Sequence, residues 1–123
     1  MKVLLLIQIT LSLQAKHLHY EKVYQKVFSN KINGKMEVKL SDGSRVDYLT
    51  STYAIEVDFA NKSYEGIGQS LYYSIKIGKK AGVVMISENP KKDRKNLNRL
   101  LTVAKKFDIT VWVIDRNFMI RRY

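Results

Sequence analysis

Three carboxylates, Asp47, Glu56 and Asp58, stand among apolar residues in the stretch RVDYLTSTYAIEVDF. Apolar and polar side chains alternate there as in a strand, so Ala54, Glu56 and Asp58 share one face and Ile55, Val57 and Phe59 the other. A two-residue turn at Ser51 and Thr52 leaves Asp47 and Glu56 equidistant from the turn, hence directly opposite and on one side of a hairpin. Cross-strand geometry then sets their Cβ atoms roughly 5 Å apart. Like charges so placed repel, and a divalent cation removes the repulsion, because Mg²⁺ takes one or two carboxylates and keeps several waters. Such an ion polarises a phosphoryl oxygen and acidifies an attacking water. Two other readings stand beside this one: Arg45 or Lys62 neutralises the pair, or the register slips by one residue and the acids diverge.

The segment that follows, SYEGIGQSLYYSIKI, has helical spacing, with Ile67, Leu71 and Ile75 predicted as its core stripe. Gln69 and Tyr73, four apart, share a face of that helix. Gly66 and Gly68 lower helix propensity by roughly 1 kcal/mol each relative to Ala. That loss makes sense where backbone must pass close to a strand or a phosphate, and close helix–sheet packing is the simpler of the two.

The elements that would position these residues read in order along the chain. Lys16 to Phe28 has amphipathic helical spacing, with Leu18, Val23, Val27, Tyr20, Tyr24 and Phe28 as its apolar set. MEVKL alternates as a strand, and SDGS, with Asp42-Gly43 at its centre, is a turn into the acid-bearing hairpin. AGVVMIS and ITVWVID are continuous apolar runs, as strands buried on both faces are. Between them lies a basic helix, KKDRKNLNRLLTVAKKF, with Leu97, Leu100, Leu101 and Ala104 inward, and RNFMIRRY follows as a basic tail. The order is helix, three strands, helix, strand, helix, strand. Strands reached through helical crossovers are central and parallel, so the fold class is α/β, a mixed sheet flanked by helices.

The pattern D…EVD…K…GQSLYY resembles the PD-(D/E)XK nuclease superfamily, and within it the RecB-type and small endonuclease-like branches, over Lys16 to Ser87. The resemblance implies a restriction-endonuclease-like mixed β-sheet in the order α-β-β-β-α-β-α-β. It implies that Asp47 and Glu56 hold Mg²⁺ or Mn²⁺, that Gln69 and Tyr73 line the site as a Q-x-x-x-Y motif, and that Glu21 in the first helix is a further acid. The chain departs from the superfamily at Asp58, where E-x-K would place a lysine that orients water and stabilises the phosphorane charge. Lys62, four residues on, is the candidate for that ammonium. Alternatively Asp58 is a third metal ligand, or the chain binds without cutting.

Composition sets the frame for a partner. The chain has 123 residues, enough for one domain, and a formal charge of +11 from 22 Lys and Arg against 11 Asp and Glu. A domain so basic invites a polyanion, with nucleic acid or anionic lipid leading. The helix from Lys91 to Lys106 and Arg116, Arg121 and Arg122 can hold a phosphate backbone without reading sequence. Trp112, inside an apolar strand, belongs to the core. No cysteine is present, which excludes disulfides, thiol catalysis and Cys-ligated zinc, and His17 with His19 is too few for a histidine metal cage. Residues 1–15 follow the order of a secretory signal peptide: Lys2, an apolar run from Val3 to Leu13, then Ala15. The expectation is therefore an exported single domain over 16–123, with no membrane span in the mature chain, that hydrolyses nucleic acid. A catalytically inactive nucleic-acid-binding module and a secreted basic interaction protein are the alternatives.

Overall fold

The computed structural model describes residues 17–123, so the expected signal peptide lies outside the described residues. Helix α1 runs from Glu21 to Lys31 rather than from Lys16, because Leu18 and Tyr20 are exposed, whereas Tyr24, Gln25 and Phe28 are buried. Val23, assigned to its apolar face, is exposed as well. The face that packs is Tyr24, Gln25 and Phe28 with Val27 half-buried beside them, a narrower stripe than the expected apolar set.

Strands β1 (Lys35–Lys39), β2 (Arg45–Leu49) and β3 (Tyr53–Phe59) form the expected antiparallel meander. Gly43 has φ +87°, the left-handed conformation that the β1–β2 turn requires and glycine tolerates. The β2–β3 turn has the expected two residues, Ser51 and Thr52. Thr50 Oγ1 accepts from the Tyr53 and Thr52 N–H groups at 2.8 and 3.1 Å, and Lys79 Nζ donates to the carbonyls of Thr50 and Ser51.

A 3₁₀ turn, Ala60–Lys62, leads from β3 into α2 (Ser63–Ile77), which returns the chain to β4 (Lys80–Ser87). Helix α3 (Pro90–Lys106) then crosses to β5 (Thr110–Asp115). Asn89 caps α3 by accepting from the Lys92 N–H at 3.2 Å, and Pro90 occupies the first turn, where its missing N–H costs nothing. With a last strand, β6 (Ile120–Arg122), the sheet order is β1-β2-β3-β4-β5-β6, with β3, β4 and β5 parallel. Both crossovers advance the sheet in one direction, and helices α2 and α3 accordingly lie on one face, as the uniform hand of such crossovers requires. Their apolar residues, Ile67, Leu71, Leu97, Leu100, Leu101 and Ala104, pack on Val83, Met85 and Val111.

Helix α1 covers the other face, where Tyr24 and Phe28 meet Tyr48, Ile55, Val57, Val84, Ile86, Trp112 and Ile114. Each fully buried side chain of this kind contributes roughly 1.5–3 kcal/mol. Gly82 makes the packing there possible. A Cβ at Gly82 would stand 2.9 Å from the Trp112 ring and 3.0 Å from Ile55.

The structure corrects two further expectations. RNFMIRRY is not a free tail: Ile120–Arg122 forms strand β6, antiparallel to β5 at the sheet edge. Arg122 lies over Trp112 and Tyr53 and donates to the Tyr53 hydroxyl at 2.9 Å, so it serves packing first. Ile75 is 84% exposed and is not part of the core stripe of α2. The buried line on that helix is Ser63, Gly66, Ser70 and Tyr73, the first three small enough to let the helix settle close on the sheet.

Candidate functional site

The hairpin acids meet where the register places them, but the ladder around them is not regular. The β2–β3 register pairs Tyr48 with Ile55 and Leu49 with Ala54, the register expected from the turn, and then stops. At the next position the side chains replace the ladder: Asp47 Oδ2 accepts from the Val57 N–H at 2.9 Å, and Glu56 Oε1 accepts from the Asp47 N–H at 3.4 Å. The strand kinks here. Tyr48 packs on the α1 face, whereas Val46, two residues away, packs on the α2 face with Ala54 and Tyr73. Opposite Asp47, Glu37 in β1 has φ 54°, a conformation uncommon for a residue with a side chain.

Helix α1 compensates the broken ladder. Gln25, 1% exposed, donates from Nε2 to the Asp47 carbonyl at 2.6 Å and lies 3.5 Å from Glu37 Oε1. Glu21, one turn earlier on α1, faces the same region, and Asp47 and Glu37 both raise its pKa after burial does. Gln25 and Glu37 were not singled out from the sequence. The signal available was the spacing of Glu21 and Gln25, four apart and so on one side of an amphipathic helix, the side on which Tyr24 and Phe28 are buried.

Glu56 and Asp58 do not open to solvent on a free face. Helix α2 lies over them at Gly66, where a Cβ would stand 2.7 Å from Asp58 Oδ2 and 3.7 Å from the Glu56 Cβ. Glu56 is 4% exposed. Asp58 Oδ2 is buried without a hydrogen-bond partner, a rare condition for a carboxylate oxygen.

Burial dominates the electrostatics. It raises Glu56 and Asp47 above the usual carboxylate range, and the Asp47 charge raises Glu56 further. Burial, followed by the charges of Glu21, Asp47 and Glu65, pushes Asp58 up to about 7, while Lys62 acts in the opposite sense. Among the described residues the cation–carboxylate pairs within 4.0 Å are His17–Glu88 and Arg45–Glu37. Neither Arg45 nor Lys62 neutralises the Asp47–Glu56 pair directly. Burial and mutual repulsion thus favour the protonated forms of these carboxylates.

Lys62 and Gln69 are exposed. Lys62, at the end of the 3₁₀ turn, acts by charge on Glu21 and Asp58 without touching a carboxylate within 4.0 Å. Tyr73 is buried, and after burial the charges of Glu56 and Asp47 raise its hydroxyl pKa, so it borders the cluster. Its motif partner Gln69 lies on the exposed flank and makes no hydrogen bond to the acids. Among the described residues, no three His, Cys, Asp or Glu side chains gather around one ion position. The donor set that suits a cation is the Asp47–Glu56 pair, with water completing the shell as Mg²⁺ prefers, and the orphaned Asp58 oxygen close by.

No helix among the described residues is long and apolar enough to cross a membrane. No protein-family model, curated protein or solved structure matches the chain.

Proposed function

We propose that the chain is a divalent-metal-dependent nuclease of restriction-endonuclease-like architecture, exported by residues 1–15 and acting on DNA or RNA. The observation that carries this reading is a buried Glu56 with half-buried Asp47 and Asp58 around it, beside a broken ladder and with no cation in direct contact among the described residues. Carboxylates arranged so are costly unless protonated or joined to a metal. Asp47 and Glu56 would hold Mg²⁺ or Mn²⁺, which supplies charge stabilisation at a phosphoryl oxygen and an acidified water. The chain's own part is positional. The Val57 N–H fixes Asp47, the Asp47 N–H fixes Glu56, and α2 over Gly66 keeps water from the inner side. Lys62 at the rim would stabilise negative charge on the phosphate, and Tyr73 borders the pair from α2.

The test is cleavage of single- and double-stranded DNA and RNA by the purified chain with and without Mg²⁺ or Mn²⁺, beside Glu56→Ala and Glu56→Gln. A drop of about 100-fold or more in both folded variants is expected for a lost metal ligand. Unchanged cleavage in Glu56→Gln would remove the site assignment. A second reading, a nuclease fold that binds without cutting, is favoured by Lys62 standing more than 4.0 Å from every carboxylate. It predicts salt-sensitive binding, indifferent to EDTA, with no turnover.

A further inference from the structure

A hollow of about 550 Å³ lies at the carboxyl ends of the three parallel strands, bordered by Phe59 at the end of β3 and Ala60 just after it, Glu88 after β4 and Arg116 after β5. Its polar lining includes His17, Asn61, Asn89, Lys92, Asn96 and Arg116. Two acids, Glu88 and Asp93, also border it, and both are occupied. Glu88 accepts from His17 Nδ1, from the N–H groups of Leu18 and His19, and from the Tyr24 hydroxyl, at 2.6–3.3 Å. Asp93 Oδ2 accepts from Ser87 Oγ at 3.0 Å and from the Asn89 N–H at 3.4 Å.

The side chains of Asn61, Lys92, Asn96 and Arg116 make no hydrogen bond or ion pair with other described residues. Helix α3 does not provide the attraction through its first turn, which Asn89 already caps. What distinguishes the hollow is two cations and two amides without a partner among the described residues, around a concavity whose carboxylates face inward to their own partners. Asn61 adjoins Lys62, whose charge reaches Glu21 and Asp58, so the hollow opens beside the rim of the acid cluster.

We infer that this hollow binds a flanking, non-scissile phosphate of the same nucleic-acid strand whose scissile bond lies at Asp47 and Glu56, an inference that rests on the proposed nuclease reading. Lys92 and Arg116 supply charge, and Asn61 and Asn96 donate to the phosphate oxygens. These contacts position the strand and carry no sequence information. The strand passes over the 3₁₀ turn, which makes Ala60–Lys62 the ridge between the two subsites.

The experiment measures binding of a fluorescein-labelled oligonucleotide by anisotropy in EDTA, across a salt series, for the full chain, Lys92→Ala/Arg116→Ala and Lys35→Ala/Lys39→Ala. Loss of two phosphate contacts should weaken binding about tenfold and reduce the slope of log K against log salt by about 1.5. The Lys35/Lys39 variant, which removes the same charge from exposed positions of β1 at the far edge of the sheet, should change binding by less than about threefold. Equal losses in the two variants would show diffuse attraction and overturn the inference. So would wild-type binding by the Lys92/Arg116 variant, while metal-dependent cleavage would leave the nuclease reading standing. Conversely, the expected loss in a chain that never cleaves would keep the hollow as a strand site and remove catalysis. Retention on anionic phospholipid vesicles that depends equally on Lys92 and Arg116 would overturn the assignment to a nucleic-acid strand.

Discussion

The Val57 N–H donates to Asp47 Oδ2 at 2.9 Å, so a carboxylate occupies the place where a strand carbonyl would continue the ladder. Around that bond the hairpin stops being an ordinary sheet. β2 kinks, Glu37 takes a left-handed conformation across from Asp47, and the freed Asp47 carbonyl is taken by an amide from α1. The substitution gathers acids in a protein of net charge +11 and holds them under α2.

One consequence is a stability that falls as pH rises. Asp58 is pushed up to about 7, and Glu56 and Asp47 also lie above their ordinary values, so the folded chain keeps protons that the unfolded chain has released. Stability from these groups is fully present below their unfolded pKa and is lost as pH rises through their folded values. Glu88, lowered by the Tyr24, His17, Leu18 and His19 donors that outweigh its burial, works oppositely and loses its contribution as pH falls. In EDTA the urea midpoint should therefore be highest near pH 5–6 and decline toward pH 8.5. Asp58→Asn should flatten the decline, with a gain of about 1–2 kcal/mol at pH 8, since water reaching this half-buried group screens part of the effect. Added Mg²⁺ or Mn²⁺ should raise the wild-type midpoint at pH 8. A wild-type midpoint that stays level from pH 5.5 to 8.5 in EDTA would contradict the proton-holding cluster.

Gln25 carries a second prediction. Its amide satisfies the Asp47 carbonyl where the ladder cannot, so Gln25→Leu leaves that buried oxygen unpaired and should cost about 1–3 kcal/mol in denaturant unfolding. Lys26→Leu, one residue on and exposed, should change stability by less than about 0.5 kcal/mol. Equal effects at the two positions would mean that the amide bond contributes nothing specific.

The division between what was legible in the sequence and what was not follows the reach of each interaction. Alternation in Tyr53–Phe59, the two-residue turn and the apolar runs of β4 and β5 report local periodicity, and each element forms where expected. The approach of Asp47 to Glu56 followed from that local register. The kink at Asp47 did not, because it depends on Gln25 and Glu37, which come from other elements. Ile75 misled for a related reason. Four-residue apolar spacing reads as a core stripe, but β3 carries Glu56 and Asp58 toward α2, and only small residues let the helix approach them. The tail joined the sheet because β5 would otherwise be an unpaired edge, a property of the assembled sheet rather than of RNFMIRRY.

The two helical glycines should separate cleanly. Nothing lies within 4 Å of a Cβ at Gly68, so Gly68→Ala should stabilise the fold by about 0.5–1 kcal/mol through helix propensity. At Gly66 the new methyl meets Asp58 Oδ2 at 2.7 Å, and the carboxylate must turn away. Gly66→Ala should lack that gain and should weaken metal-dependent stabilisation or cleavage several-fold more than Gly68→Ala does. Introducing Asp58→Ala alongside Gly66→Ala should recover the stability gain. If the two glycine variants behave alike in every assay, α2 does not press on the acid cluster.

Lys62 tests whether the rim ammonium acts on the chemistry or only on folding. Its charge favours the ionised forms of Glu21 and Asp58, so Lys62→Met leaves those groups holding protons to higher pH. Since a cation can bind only as those protons leave, the rising limb of the cleavage profile should move upward by about 0.5–1 pH unit. The maximal rate should also fall, by about 10–100-fold, if the ammonium stabilises charge on the phosphate. Lys62→Arg keeps a positive charge at the same place and should restore the position of the limb, though not the full rate, because a planar guanidinium does not reproduce a point charge on a flexible stem. A purely structural lysine would change stability and leave the limb where it was. A Lys62→Met profile superimposable on that of the unaltered chain would therefore assign the ammonium to the surface and leave the carboxylates to act without it.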